Sequence, residues 1–144
     1  MATFTASSCQ TNASGFFLAP PKYNEKGVQA RTAQYTFTAA QSAGDVIQMV
    51  PVPKGAVIHE LNVVANMGGA AITVTGGDGG SAARYGSMSV QGALVARCTA
   101  GIGYSYSADD TIDLTVSTVT SASAAGSVRL TVLYSFDQAA DGGS

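Results

Sequence analysis

The end of the chain most constrains the fold, because apolar and polar residues alternate strictly along two neighbouring stretches. In residues 111–117, Ile112, Leu114 and Val116 alternate with hydroxyl and acidic residues, and residues 128–136 repeat the pattern. Successive side chains of a strand point to opposite faces, so each stretch predicts a strand with one apolar face. The small residues between them predict the loop of a closing antiparallel hairpin. Because a lone hairpin is unstable in water, the rest of the chain must supply a second apolar face.

Composition narrows the class of protein. The 144 residues fit one domain with a stable interior. Charged residues make up 11% of the chain, against ~25% in a typical globular protein. The net charge is −2 and the seven Lys and Arg residues are scattered, whereas nucleic-acid binding needs a basic patch. No apolar run is long enough for a transmembrane helix, and no signal peptide is recognisable. We therefore expect neither a nucleic-acid nor a membrane partner.

Turn signals recur about every ten residues from Thr32 onward and separate about eight short strand patterns, with no convincing amphipathic helix. Among them, 57–65 and 71–75 are predicted as two strands joined by a tight turn at 66–70. Segments 84–90 and 93–98 are predicted as a weak strand and either a short strand or one helical turn. This spacing indicates an all-β antiparallel sandwich or barrel. We predict an extended N-terminal arm (1–31), a β-sandwich domain (32–137) and a flexible tail (138–144).

An internal similarity links two parts of the chain. Tyr35-Thr36-Phe37 leads through small residues to Asp45-Val46-Ile47, and Tyr104-Ser105-Tyr106 leads in the same way to Asp110-Thr111-Ile112. The pattern is too short to indicate duplication. It predicts two similar hairpins that face each other across one core.

The N-terminal segment contains a short apolar patch, Phe16, Phe17 and Leu18, which ends at Pro20-Pro21. One interpretation is a partly ordered tail. The other is an arm that docks these side chains on its own subunit or on a neighbour, since exposed apolar patches mark contacts. We take these three residues as candidate assembly contacts.

No residue pattern predicts catalysis, a cofactor or a metal. His59 is the sole histidine, and its alternation with Val57 and Leu61 places it with them on one strand face. Of Asp109, Asp110 and Asp113, the last falls within an alternating strand and no calcium-loop pattern is present, so a pair of turn-capping residues before a strand is a better explanation than a calcium site. The glycines of 76–80 lack the Lys-Ser/Thr and helix of a phosphate loop and predict a mobile hairpin tip. We expect a protein that is not an enzyme.

Two further residue pairs have more than one interpretation. Tyr104 and Tyr106 share a strand face, which favours packing in the core over a platform for stacking sugars or bases. Cys9 and Cys98 could pair only if the fold brought their Cα atoms within ~7 Å, and we expect free thiols.

The strand and turn pattern of the chain, from about Thr32 to Asp137, resembles the capsid cement or decoration proteins of tailed bacteriophages. The segments that carry the resemblance are Asp45-Val46-Ile47, Val52-Pro53-Lys54-Gly55-Ala56-Val57-Ile58, Thr73-Val74-Thr75-Gly76-Gly77-Asp78, Tyr104-Ser105-Tyr106, Asp110-Thr111-Ile112-Asp113-Leu114 and Arg129-Leu130-Thr131-Val132-Leu133-Tyr134. No binding residues carry over from that family, and it gives no guidance for the segment before Thr32.

The resemblance implies a jelly-roll fold and a non-enzymatic structural protein of the virion. Such a protein is made in the host cytoplasm and binds the outside of the capsid as a homo-oligomer, a dimer or trimer, with the major capsid protein as partner. It stabilises the shell by bridging capsid subunits. Two alternatives stay open: another virion component, such as a tail or head-fibre subunit, and a carbohydrate-binding β-sandwich that uses Tyr104 and Tyr106.

Overall fold

The computed structural model describes residues 3–5, 27–37, 42–119 and 126–136. These residues form seven strands in one sheet. The strands are β1 (Thr3–Thr5), β2 (Gln29–Phe37), β3 (Val46–Val52), β4 (Ala56–Gly77), β5 (Gly86–Cys98), β6 (Asp110–Val119) and β7 (Gly126–Phe136). Their order is β1-β3-β6-β4-β7-β2, with β5 also paired to β4. All pairs are antiparallel except β1 with β3, and the described residues contain no helix.

Strand β4, with 22 residues, belongs to both halves of the fold. Its first half pairs with β7 from Ala56↔Phe136 to Asn66↔Ser127, and its second half pairs with β6 from Ile72↔Val119. Strand β5 pairs along the other edge of β4. The sheet therefore curls into two layers, one with β1, β3 and β6 and the other with β2 and β7. Strands β2 and β3 contact each other without pairing. The predicted all-β, jelly-roll-like sandwich is confirmed.

One apolar core fills the space between the layers. The inward residues of β6 and β7 are fully buried, as their alternation predicts: Ile112, Leu114, Val116, Val128, Leu130, Val132 and Tyr134. Strands β3 and β4 add residues such as Ile47, Met49 and Ile58 to the same cluster. Burial of each such side chain contributes ~1.5–3 kcal/mol relative to its exposure, so this core is the main source of stability.

The predicted closing hairpin is wrong. Strands β6 and β7 have the expected apolar faces, but they pair with β4 and not with each other. The physical reason is the length of β4, which accommodates both partners end to end along one edge. Val119 of β6 lies opposite Ile72, and Ser127 of β7 lies opposite Asn66.

The predicted turn at 66–70 is also wrong, because β4 continues through it. The pairing with β5 is irregular there, since Asn66 lies opposite Ala93 whereas Ala71 lies opposite Gln91. The extra residues of β4 are accommodated as a bulge, and glycine pairs in strands often mark such irregularities. Segments 84–90 and 93–98 likewise contribute to one continuous strand, β5.

The repeated aromatic and aliphatic pattern does not form two facing hairpins. Strands β3 and β6, which contain the two aliphatic halves, are neighbours in one layer. Of the aromatic halves, Tyr35 and Phe37 lie on β2, while Tyr104 and Tyr106 flank an isolated bridge between Ser105 and Val57. What recurs is local geometry, because each aromatic pair packs edge to face with ring centroids 5.2 and 5.0 Å apart.

The first strand ties the start of the chain to the sandwich. Thr3–Thr5 pairs in parallel with β3, and the ring of Phe4 packs on that of Tyr35, with centroids 5.8 Å apart. Strand β2 begins at Gln29 and pairs with β7 along its whole length. Residues on both sides of segment 6–26 are therefore held in the sheet.

Candidate functional surface

The connection between β4 and β5 is built around a buried carboxylate, Asp78, which the sequence analysis did not identify. Its side chain is 1% exposed. The backbone N–H groups of Gly80 and Ser81 donate to it at 3.0 and 2.8 Å. The Arg84 guanidinium donates through Nε and Nη2, and the hydroxyl of Tyr106 donates at 2.9 Å. These bonds close the connection into a compact turn instead of the mobile tip predicted for the glycines of 76–80.

Charge and burial act in opposite directions on this carboxylate. Burial by itself raises the pKa of Asp78. The hydrogen bonds from Arg84, from Tyr106 and from the backbone outweigh burial and hold that pKa below its ordinary value of 3.8. Asp78 is therefore ionised in the folded protein at neutral pH, and its negative charge is matched by Arg84. These interactions stabilise the turn, and they leave neither Asp78 nor Arg84 as an unpaired acid or base.

The two tyrosines considered as a stacking platform are used inside the protein. Tyr106 is 3% exposed, and its hydroxyl also shares a 2.7 Å hydrogen bond with that of Tyr85. Burial raises the pKa of both phenols, so both stay neutral. Tyr104 is partly buried, and the Arg84 guanidinium lies 3.6 Å from its ring centroid. Because the Tyr106 ring is buried, the prediction of core packing is confirmed for Tyr106. One face of the Tyr104 ring is covered by Arg84, so the two rings do not offer an exposed platform for stacking sugars or bases.

Asp109, just before β6, and Asp110, its first residue, accept backbone N–H groups, as expected of capping residues. Asp109 accepts the Lys54 N–H at 2.8 Å, and Asp110 accepts that of Thr111 at 2.8 Å. Asp113 accepts the Thr111 hydroxyl at 2.7 Å. Within the described ranges, no three His, Cys, Asp or Glu side chains are grouped as a metal site. Burial raises the pKa of Asp113 to about 6, and its acidic neighbours add to the shift.

His59 shares the outward side of β4 with Val57 but not with Leu61, so the prediction is wrong for Leu61. The pairing of β4 with β7 shifts between Ile58 and Glu60, and beyond this bulge Leu61 is buried, as Ile58 is, whereas His59 is exposed. Its Nε2 lies 2.6 Å from the Ser135 hydroxyl. Among described residues, no carboxylate hydrogen-bonds to His59, so the pair lacks the orienting third member of a catalytic triad.

Cys98 is buried with a free thiol, and burial raises the pKa of that thiol. Cys9 lies outside the described residues. The candidate assembly contacts Phe16, Phe17 and Leu18 also lie outside them. In the part of the chain that the structure describes, no helix is long and apolar enough to cross a membrane.

Four strands present a continuous exposed surface, which we call the outer face. Two rows of paired residues cross it from β2 to β5: Gln34, Arg129, Val64, Val95 and Thr32, Thr131, Asn62, Arg97. Hydrogen bonds order both rows, such as Arg129 to Gln34 at 2.9 Å and Thr32 to Thr131 at 3.0 Å. On β4 and β5, at one end of the first row, Val64 is 46% exposed and Val95 is 78% exposed. Such a surface has the features of a contact area, not of a reactive centre.

Sequence reasoning missed two parts of this arrangement. Asp78 stands in a glycine-rich stretch that gives no sign of burial, and the signal available was a basic residue, Arg84, six positions later. Val64 and Val95 fit strand patterns, but nothing in the sequence distinguishes the outward face of a half-apolar strand from its inward face until the register is known.

Comparison with known proteins gives matches only among solved structures. No protein-family model and no curated protein matches the chain. A chain of the cyanophage Pam1 capsid asymmetric unit is 26% identical, with a TM-score of 0.67, and the match covers 88% of this chain and 98% of that one. The chain is similar to phage capsid components.

Two further structures share the fold. A chain of the Ralstonia phage GP4 capsid is 20% identical, with a TM-score of 0.71, over 94% of this chain and 98% of that one. A chain from the acidic stable capsid of Helicobacter pylori bacteriophage KHP30 is 14% identical, with a TM-score of 0.52, over 75% and 92%. These two matches support the fold, and the similarity to the Pam1 capsid chain supports a structural role in a virion.

Proposed function

We propose that this chain is a non-enzymatic cement protein that binds the outer surface of a phage capsid and stabilises it by bridging capsid subunits. The observation that carries the proposal is the similarity to a capsid chain of cyanophage Pam1 along 98% of that chain's length. Near-complete coverage means that the two domains correspond as wholes. The proposed partners are the major capsid protein and further copies of this chain, in a dimer or trimer made in the host cytoplasm.

The outer face supplies a physical basis for such binding. It combines an apolar pair, Val64 and Val95, with amide, hydroxyl and arginine groups on β2, β4, β5 and β7. Protein interfaces likewise combine apolar and polar contacts. Many copies on one shell would each add a modest free energy, and a ligand that binds only the assembled lattice stabilises that lattice by mass action.

The test is to add the purified protein to capsids from a phage strain that lacks it. We expect saturable binding, density on the outer shell between capsid subunits in electron cryomicroscopy, and a raised temperature of DNA release. Density on the tail or on fibres would favour the alternative of another virion component. Absence from every particle would contradict both.

A carbohydrate-binding function has less support, because Tyr106 is buried and Arg84 lies against the ring of Tyr104. A glycan array would test it. Glycan binding that is lost in Tyr104→Ala but kept in Tyr35→Ala would overturn this judgement.

We also propose that Phe16, Phe17 and Leu18 contact a neighbouring subunit. Truncation before Thr32 is a poor test, because it removes β1 and the start of β2, which are paired with β3 and β7. Substitution of all three by Ser leaves these strands intact. We expect at least tenfold weaker capsid binding with an unchanged melting temperature. The matched control is Ser substitution of Thr11, Asn12 and Ala13 in the same segment, and equal binding by both variants would refute the contact.

A further inference from the structure

Strand β1 is the shortest strand that the structure describes. It has three residues, Thr3–Thr5, against a typical 5–6 for a strand. It pairs with β3 in parallel, and parallel pairs are slightly less stable per residue than antiparallel ones. All other pairs of described strands are antiparallel and longer. Backbone pairing therefore holds β1 more weakly than any other described strand.

The side chain of Phe4 attaches β1 to the core. In the register Phe4 lies opposite Ile47, which is fully buried, and it packs against the same apolar cluster. Thr3, by contrast, is exposed. Phe4 itself is partly buried, so its ring gains only part of the free energy that full burial would provide.

The ring of Phe4 also connects two strands at opposite ends of the strand order. Strand β1 begins that order and β2 ends it. The Phe4 ring centroid lies 5.8 Å from that of Tyr35 on β2, with 55° between the two ring planes. Within the described residues, side-chain packing and not a backbone ladder therefore connects β1 to β2.

We propose that β1 is a latch: it detaches from β3 and from Tyr35 as a unit while the rest of the sandwich stays folded, and Phe4 is the side chain that holds it closed. Local opening occurs where buried apolar contacts and backbone pairs are fewest. Opening uncovers the edge of β3 at residues 46–48, and an uncovered strand edge is a template for pairing with another chain. The closed latch protects that edge. The inference goes beyond the proposed function and does not depend on it.

Amide hydrogen exchange of the full chain, followed residue by residue, tests whether β1 opens by itself. Strand β3 has β1 on one edge and β6 on the other, so one strand supplies both the test and its control. In the wild type we expect the amides between β1 and β3 to exchange roughly a hundredfold faster than those between β3 and β6. Equal rates at the two edges would overturn the latch, because β1 would then open only when the whole sandwich unfolds. Unprotected amides at the β1 edge would also overturn it, because β1 would then not be closed.

The dependence of exchange on urea gives a second test in the wild type. Release of three residues exposes little surface, so exchange at the β1 edge should not change with urea below the unfolding transition. Exchange at the β6 edge should accelerate with urea, because it requires unfolding of the core. A common dependence at both edges would contradict a separate opening of β1.

Two substitutions separate the latch from the core. Phe4→Ala should speed exchange at the β1 edge by roughly tenfold, because the closed state loses its apolar contact. Val63→Ala should lower the urea midpoint and leave the rate at the β1 edge unchanged, because Val63 is fully buried on β4 whether the latch is open or closed. Thr3→Ala, on the same strand as Phe4 but exposed, should change neither quantity. Faster exchange at the β1 edge in Val63→Ala, or an unchanged rate in Phe4→Ala, would overturn the inference.

Discussion

At the scale of single residues, Asp78 is the polar group on which the described fold most depends. It accepts hydrogen bonds from Arg84, Tyr106 and two backbone N–H groups while its side chain is almost completely buried. A buried ion pair adds little to the stability of the folded state compared with well-packed apolar residues in its place. Removal of one partner, however, leaves the buried charge of the other uncompensated. The cost of losing Asp78 is therefore larger than the net contribution of the pair.

We predict that Asp78→Ala lowers the free energy of unfolding by ~3 kcal/mol, since Arg84 and the Tyr106 hydroxyl lose their acceptor. Urea unfolding monitored by tyrosine fluorescence measures the change. Asp109→Ala is the control, because Asp109 accepts one exposed N–H from Lys54, and its loss should cost under ~1 kcal/mol. Equal effects for the two variants would contradict the assigned role of Asp78.

A second residue-scale prediction concerns pH. The folded pKa of Asp113 is about 6, above the ordinary 3.8, so the native state binds this proton more readily than the unfolded chain. Its contribution to stability therefore grows as the pH falls from 7 through 6 and is complete below about 4. Asp78 has the opposite shift, and its contribution is lost as the pH falls below 3.8. The two shifts together predict greatest stability in mildly acidic solution.

Asp113→Asn should keep the hydrogen bond from Thr111 and remove the buried charge. We expect the variant to be more stable than the wild type by ~2 kcal/mol at pH 8, with the difference vanishing near pH 4. Melting temperatures between pH 4 and 8 provide the measurement. Asp109→Asn serves as control, and a gap that does not change with pH would show that Asp113 is ordinarily solvated.

At the scale of elements, the turn between β4 and β5 depends on a close approach of backbone to backbone. A Cβ at Gly77 would lie 2.3 Å from the carbonyl oxygen of Ser81 and the carbonyl carbon of Ala82, inside any permitted contact. A Cβ at Gly76 would meet the Cβ of Tyr85 at 3.3 Å, which small shifts can relieve. Neighbouring glycines therefore differ in their tolerance of a methyl group.

We predict that Gly77→Ala destabilises the protein by at least ~2 kcal/mol and that Gly76→Ala costs under ~1 kcal/mol. Thermal unfolding of both variants gives the comparison. Equal destabilisation by the two variants would contradict the close approach of the two backbone segments in this turn.

At the scale of the whole molecule, the sequence predicts which face of a strand is buried, and which residues form the core, better than it predicts which strands pair. The inward residues of β6 and β7 follow from period-2 alternation, which needs no knowledge of neighbours. The pairing of these strands with β4 does not follow, because it depends on the 22-residue length of β4, and the Gly68-Gly69 pair conceals that length by imitating a turn. The bulge that separates His59 from Leu61 is hidden for the same reason, since a register shift leaves no mark in one strand alone.

The features of the candidate surface can also be separated into those that local sequence predicts and those that depend on contacts between distant residues. The absence of a catalytic motif and the capping roles of Asp109 and Asp110 could be derived from local sequence. The Asp78 network could not, because it joins residues from the β4–β5 connection and the segment around Tyr106. The outer face requires four strands in register, and Val64 and Val95 become neighbours only when β4 pairs with β5. The sequence gives the type of each of these residues but not which distant residues the fold places beside it.

The pairing of β2 with β7 has a consequence for synthesis. Thr32 and Thr131 meet although 99 positions separate them in the chain. At ~5–20 residues per second, a ribosome needs roughly 5–20 s to produce β7 after β2. During that interval β2 has no partner strand, and half of the core has nothing to cover it. The nascent chain is therefore exposed to aggregation until β7 emerges, and a product truncated before β7 would lack the strand that pairs with both β2 and β4.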